Sequence, residues 1–150
     1  VNEAVGLDYV DSLSMRMLDA VVPTDGEKLI DYLPAELLGL EAWAESRGWS
    51  LLHQGAEHVF ASGQNRIVFR CVRRPAEIGF PPDCAPVGMK LLDRHASVNA
   101  SHVVLDTDVI LEQRQKFDLD SLGQQLVSLK ADLSQCFKSV VTDHAIRSWE

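Results

Sequence analysis

The chain has 150 residues, with 14 Lys and Arg against 22 Asp and Glu, giving a formal net charge of −8 at pH 7. That balance excludes a general nucleic-acid binder, because phosphate contacts need a basic surface. Hydrophobic residues at 46% and charged ones at 24% suit a folded domain with its own core rather than a disordered segment.

No apolar run reaches the roughly 20 residues of a membrane span, and no charged and then apolar leader suggests a signal peptide. Cys71, Cys84 and Cys136 are odd in number and scattered, with no CxxC, so reduced thiols in a cytoplasmic protein are expected. The chain opens on Val1 rather than Met and enters a strand pattern within a few residues. The expectation is one domain that forms the C-terminal portion of a longer protein.

From Val5 to Met15 the odd positions are mainly apolar (Val5, Leu7, Tyr9, Leu13, Met15) and the even ones mainly small or polar, the pattern of a half-buried strand. Pro23-Thr24-Asp25-Gly26 marks a turn, and Thr24 or Asp25 can cap a helical stretch opening at Glu27. That stretch is interrupted at Pro34 and resumes from Ala35 to Arg47, with Gly48 as its C-terminal stop. Residues 49–62 read as a strand or two short ones. Gly63-Gln64-Asn65 is a turn, and Arg66–Arg74 is the return strand of an antiparallel hairpin. The Pro-rich stretch 75–87 is an irregular connection, followed by a short strand over Gly88–Asp93 and a loop.

The last third carries the strongest pattern. A strand from about Ser101 to Glu112 leads through Phe117-Asp118 into a helix over 119–141. Leu119, Leu122, Leu126, Leu129, Leu133, Cys136 and Val140 recur there at steps of three and four, and Asp118 or Asp120 suits the N-cap. The predicted fold is α+β: an antiparallel sheet of four to six strands with this helix across one face, in an arrangement like a helix-grip. A homodimer seam along 119–141 is the alternative use of the leucine stripe.

Two constellations bear on chemistry. Asp106 and Asp108 share a strand face about 7 Å apart along the backbone. Paired carboxylates at that spacing suit a hard divalent cation, with His102 or Glu112 at the margins. Arg66, Arg70 and Arg74 share a face of their own strand. They suit either an anion, which arginine forks grip well, or cross-strand pairing with Asp106 and Asp108. The five histidines are dispersed and offer no zinc spacing. There is no GxSxG, phosphate loop or HExxH, so neither a cofactor nor a nucleophile is indicated.

The segments Val5-Gly6-Leu7-Asp8-Tyr9-Val10-Asp11-Ser12-Leu13, Leu105-Asp106-Thr107-Asp108-Val109 and Phe137-Lys138-Ser139-Val140-Val141-Thr142-Asp143, with Phe117-Asp118 and the leucine helix between the last two, carry a likeness. The chain resembles the C-terminal half of a sporadically distributed family of uncharacterised, somewhat longer bacterial proteins. The resemblance implies an N-terminal half with its own strands and helix, and an accessory or defence-related setting. It implies no activity. Asp8, Asp11 and Ser12 stand where that family usually has Arg, Asn and Arg, so any family site built on those residues would be altered here.

The functional expectation is a non-enzymatic interaction or ligand-binding module, whose partner is a protein or the preceding half. The alternative is a metal-dependent hydrolase or phosphoryl-transfer enzyme using Asp106 and Asp108.

Overall fold

A computed structural model describes residues 8–75, 77–84, 90–96 and 98–149. The early part of the first predicted strand, Val5 to Leu7, lies outside the described residues, as do Gly88 and Met89 of the strand expected over Gly88–Asp93; the rest of that stretch, Lys90 to Asp93, is described and forms no strand. Where that second strand should end, Asp93–Ala96 forms a single helical turn, α3.

The fold is α+β. Strands β2 (Leu13–Val21), β5 (His102–Leu111), β4 (Asn65–Arg74) and β3 (Gln54–Ser62) form a four-stranded antiparallel sheet in that spatial order. A two-stranded ribbon pairs β1 (Tyr9–Val10) with β6 (Gln115–Lys116), matching Tyr9 to Lys116 and Val10 to Gln115. The expected continuous first strand is thus broken at Asp11-Ser12. Its first piece pairs with the segment leading into the long helix, and its second joins the sheet. Asp8 reinforces the ribbon, its carbonyl accepting from the Phe117 amide at 2.9 Å.

The described residues divide into two compact units, to which β2, β3, β4 and β5 each contribute. The first unit includes residues up to Leu18, Glu57–Arg70 and Asp106–Val140. Here helix α4 (Leu119–Val140) starts where Asp118 caps it, its carboxylate accepting from the Ser121 amide at 3.1 Å. That negative group meets the positive end of the helix dipole. Leu129 and Leu133 are buried against Val109 and Leu111, with Leu13, Met15, Met17 and Ile67 packed around them.

These sheet residues are all odd-numbered on β2, β4 and β5, so the helix covers the odd face, as side-chain alternation requires. Burying a leucine side chain stabilises by about 1.5–3 kcal/mol, which makes Leu129 and Leu133 the anchors of this layer. The rest of the stripe is unevenly used: Leu119 and Val127 are exposed. Asn65 ties the hairpin to the helix, donating to the Asp132 carboxylate at 2.8 Å.

The second unit comprises Asp19–Ala56, Cys71–Leu105 and the residues from Val141 onward. The stretch read as two helices is three short turns: α1 (Leu29–Tyr32), a 3-10 turn (Ala35–Leu38) and α2 (Glu41–Glu45). Pro34 and Gly39, the latter at φ 60°, set the breaks, since neither residue favours a continuing helix. The N-cap is Lys28, not Thr24 or Asp25; Asp31 closes the turn by accepting from the Lys28 amide at 2.8 Å. Helix α5 (Asp143–Trp149) docks on α1 through the Thr142 amide, which donates to the Tyr32 carbonyl at 2.9 Å. Leu29, Tyr32, Leu33, Leu38, Val103 and Ala145 are among the buried side chains of this unit.

Candidate functional site

The even face of β5 bears Asp106 and Asp108, one strand step apart on the side opposite α4. Even positions on the flanking strands bring Arg16 from β2 and Arg66 and Arg70 from β4 to the same face. The hairpin register adds Glu57 from β3, because Gly63 and Gln64 are its only loop residues and Glu57 then lies directly across from Arg70. All of these residues belong to the first unit.

Asp106 is 2% exposed and is gripped as a fork. Arg16 Nε donates to Oδ1 at 2.7 Å and Arg16 Nη2 to Oδ2 at 2.7 Å. Arg70 Nη1 reaches the same Oδ2 at 3.4 Å while its Nε donates to Glu57 at 2.6 Å. The two parallel bonds from Arg16 are the bidentate arrangement that makes arginine–carboxylate pairs strong. Burial tends to lower the Arg70 pKa, but the hydrogen bond it donates to Glu57 and the charges of Asp106 and Glu57 outweigh it and hold the value above ordinary. Arg66 pairs with Glu112 at the exposed margin.

Asp108 differs from its neighbour. Its Oδ1 is buried with no hydrogen-bond partner among the described residues. Burial pushes its pKa up and the Asp106 charge pushes the same way, against the lowering fields of Arg16, Arg70 and Arg66.

Of the residues proposed from sequence, Arg66, Arg70, Asp106, Asp108 and Glu112 therefore share one sheet face. Arg74 lies in the second unit and has no ion pair among the described residues. His102 also lies there, fully buried, its Nδ1 3.0 Å from the Ala100 carbonyl and its Nε2 without a hydrogen-bond partner among the described residues. Among the described residues no group of three or more His, Cys, Asp or Glu side chains converges as a metal site would. Asp106 has both oxygens committed to guanidinium donors, which competes directly with coordination of a hard cation.

Sequence reasoning missed Arg16, the principal partner of Asp106. Its even position on β2 was the available signal, but nothing in the sequence placed β2 beside β5. It also missed a cluster in the second unit. Glu27 accepts hydrogen bonds from Thr24 Oγ1 and Tyr32 Oη, and its Oε1 lies 3.1 Å from His144 Nε2. The hydrogen bonds from Thr24 and Tyr32 hold the Glu27 carboxyl below its ordinary pKa against the opposing effect of burial, and His144 adds a smaller lowering.

Ser148 Oγ sits 3.3 Å from the same His144 Nε2. A serine–histidine–acid relay needs the serine and the acid on opposite ring nitrogens; here both approach one, so the cluster is a clamp between α1 and α5. Tyr32 packs edge-on to His144, with ring centroids 5.3 Å apart. Glu27 and His144 are too far apart in sequence for any spacing rule to join them.

The chain matches no protein-family model, no curated protein and no solved structure.

Proposed function

We propose that this chain is a non-enzymatic interaction module, and that its charged sheet face is a structural lattice rather than a reaction centre. The observation that carries the reading is the fork from Arg16 to Asp106, which occupies both oxygens of the more buried carboxylate. The remaining arginines pair locally, Arg70 with Glu57 and Arg66 with Glu112, so the face offers no uncompensated cationic field to draw in a phosphate. The resemblance to a family of sporadic bacterial proteins suits an accessory or defence-related role, in which binding a partner is the activity.

Calorimetric titration with Mn²⁺ and Mg²⁺ tests this. The interaction reading expects no saturable heat. Stoichiometric binding that disappears in Asp108→Asn would replace it with the metal-dependent alternative.

A further inference from the structure

We infer that β3 is a self-association edge, on which a second copy of this chain adds its own β3 antiparallel across a twofold axis near Val59. The inference names a partner for the interaction reading and rests on it. Strand order puts β3 at the margin of the sheet, with β4 its only neighbour among the described residues. From Glu57 to Ser62 every residue is exposed, on both faces of the strand. Val59 is 57% exposed on one side and Phe60 52% on the other.

The hairpin fixes which backbone groups are open. Ser62 and Asn65 flank a two-residue loop in which Gly63 alone has positive φ, at 59°. Positive φ at the first central position only is the type II′ pattern, and the residues flanking such a loop form a hydrogen-bonded pair. Counting back by twos, Ser62, Phe60 and His58 bond to β4, whereas Ala61, Val59 and Glu57 aim their N–H and C=O groups outward. A row of open donors and acceptors is a template for another strand unless the protein blunts it. The strand itself carries little to blunt it: 57–62 contains no Lys and no Pro, and its one acidic side chain, Glu57, is bound to Arg70.

The occupant follows from the sequence along that edge. With Val59 on the axis, Val59 bonds its own copy, and Glu57 meets Ala61 of the second copy. His58 then faces Phe60 of the second copy in the closer, non-hydrogen-bonded position. His58 and Phe60 already stack within the chain at 6.0 Å and 19°, so the twofold would join two such pairs into one ring cluster. The two Glu57 residues would be about 13 Å apart along the strand, beyond the roughly 8–10 Å over which exposed charges act in ordinary salt. Centring on Glu57 would instead set like charges face to face. The Val59 register therefore gives identical strands a closed, isologous contact.

Sedimentation of the purified chain over a concentration series tests the inference, using wild type, Val59→Pro, Val59→Lys and Val127→Lys. Val59→Pro removes an outward N–H that β4 does not use, and edge strands tolerate such a proline. Should it disturb folding, Val59→Lys carries the test, because it only places a charge on an exposed position. The expected result is a dimer for wild type and for Val127→Lys, whose change lies on the exposed face of α4, with loss of the dimer in both Val59 variants. A monomeric wild type, a dimer that survives both Val59 changes, or a dimer lost in Val127→Lys would overturn it. A monomer that takes up no Mn²⁺ would defeat this inference and leave the interaction reading standing. Stoichiometric Mn²⁺ uptake would defeat that reading whatever the assembly state.

Discussion

Replacing Arg16 with alanine should be among the most damaging changes on the charged sheet face. The change deletes two 2.7 Å bonds to a carboxylate that is 2% exposed. Hydrogen bonds to charged groups contribute about 1.5–3 kcal/mol each, and breaking a buried ion pair costs about 3–5 kcal/mol because the surviving charge is stranded. Arg16 is itself 25% exposed, so water reaches its side of the pair, and Arg70 at 3.4 Å offers a weaker substitute. The expected cost is therefore about 2–4 kcal/mol, the lower part of the buried-pair range.

For a domain of this size that is a fall of roughly 5–15 °C in unfolding temperature, read by circular dichroism. Arg70→Ala, which loses a longer contact and an exposed partner, should cost about 1 kcal/mol or less. The double change Arg16→Met with Asp106→Leu should recover most of the loss, because an apolar pair strands no charge. An Arg16→Ala variant within about 0.5 kcal/mol of wild type, the range of an ordinary surface change, would refute the reasoning.

Other outcomes follow from burial. Asp108 has a folded-state pKa raised above the ordinary 3.8, so the folded state binds its proton more tightly than the unfolded chain does. Its contribution to stability is complete below 3.8 and is lost as pH rises through the raised value. Asp108→Asn should accordingly gain stability over wild type at neutral pH, with the gain vanishing in acid; urea unfolding at several pH values would show a pH-independent difference if the burial argument is wrong. Burial pushes the Cys71 thiol up to about 11, which leaves little thiolate at neutral pH. In the native protein Cys84, which is only partly buried, should be alkylated well before Cys71, and mass mapping that found Cys71 modified first would contradict the packing described for it.

The elements legible from sequence were those specified by local periodicity. Alternation over 102–111 and the leucine repeat over 119–140 each encode a face, and Val109, Leu111, Leu129 and Leu133 meet on those faces. The hairpin was legible for a related reason, since Gly63 admits the positive φ of its turn. The break at Asp11-Ser12 left one trace, the charged Asp11 at an odd position, but it was hidden because the apolar residues on either side keep the same period-two phase. Only pairing of Tyr9 with Lys116, more than a hundred residues on, separates β1 from β2. The helical reading of 27–47 followed composition, while Pro34 and Gly39 cut the stretch into pieces too short to hold the periodicity. Within the candidate site, the proximity of Asp106 to Asp108 is a property of one strand. Its partnership with Arg16 depends on strand order, which no local pattern specifies.

Native mass spectrometry of the purified chain, with and without Mn²⁺, tests the central claim most directly. An interaction module whose Asp106 is held by Arg16 should appear at the mass of the polypeptide or a multiple of it, with no retained ion. A one-ion adduct per chain that disappears in Asp108→Asn would contradict the account and make the paired carboxylates a metal centre.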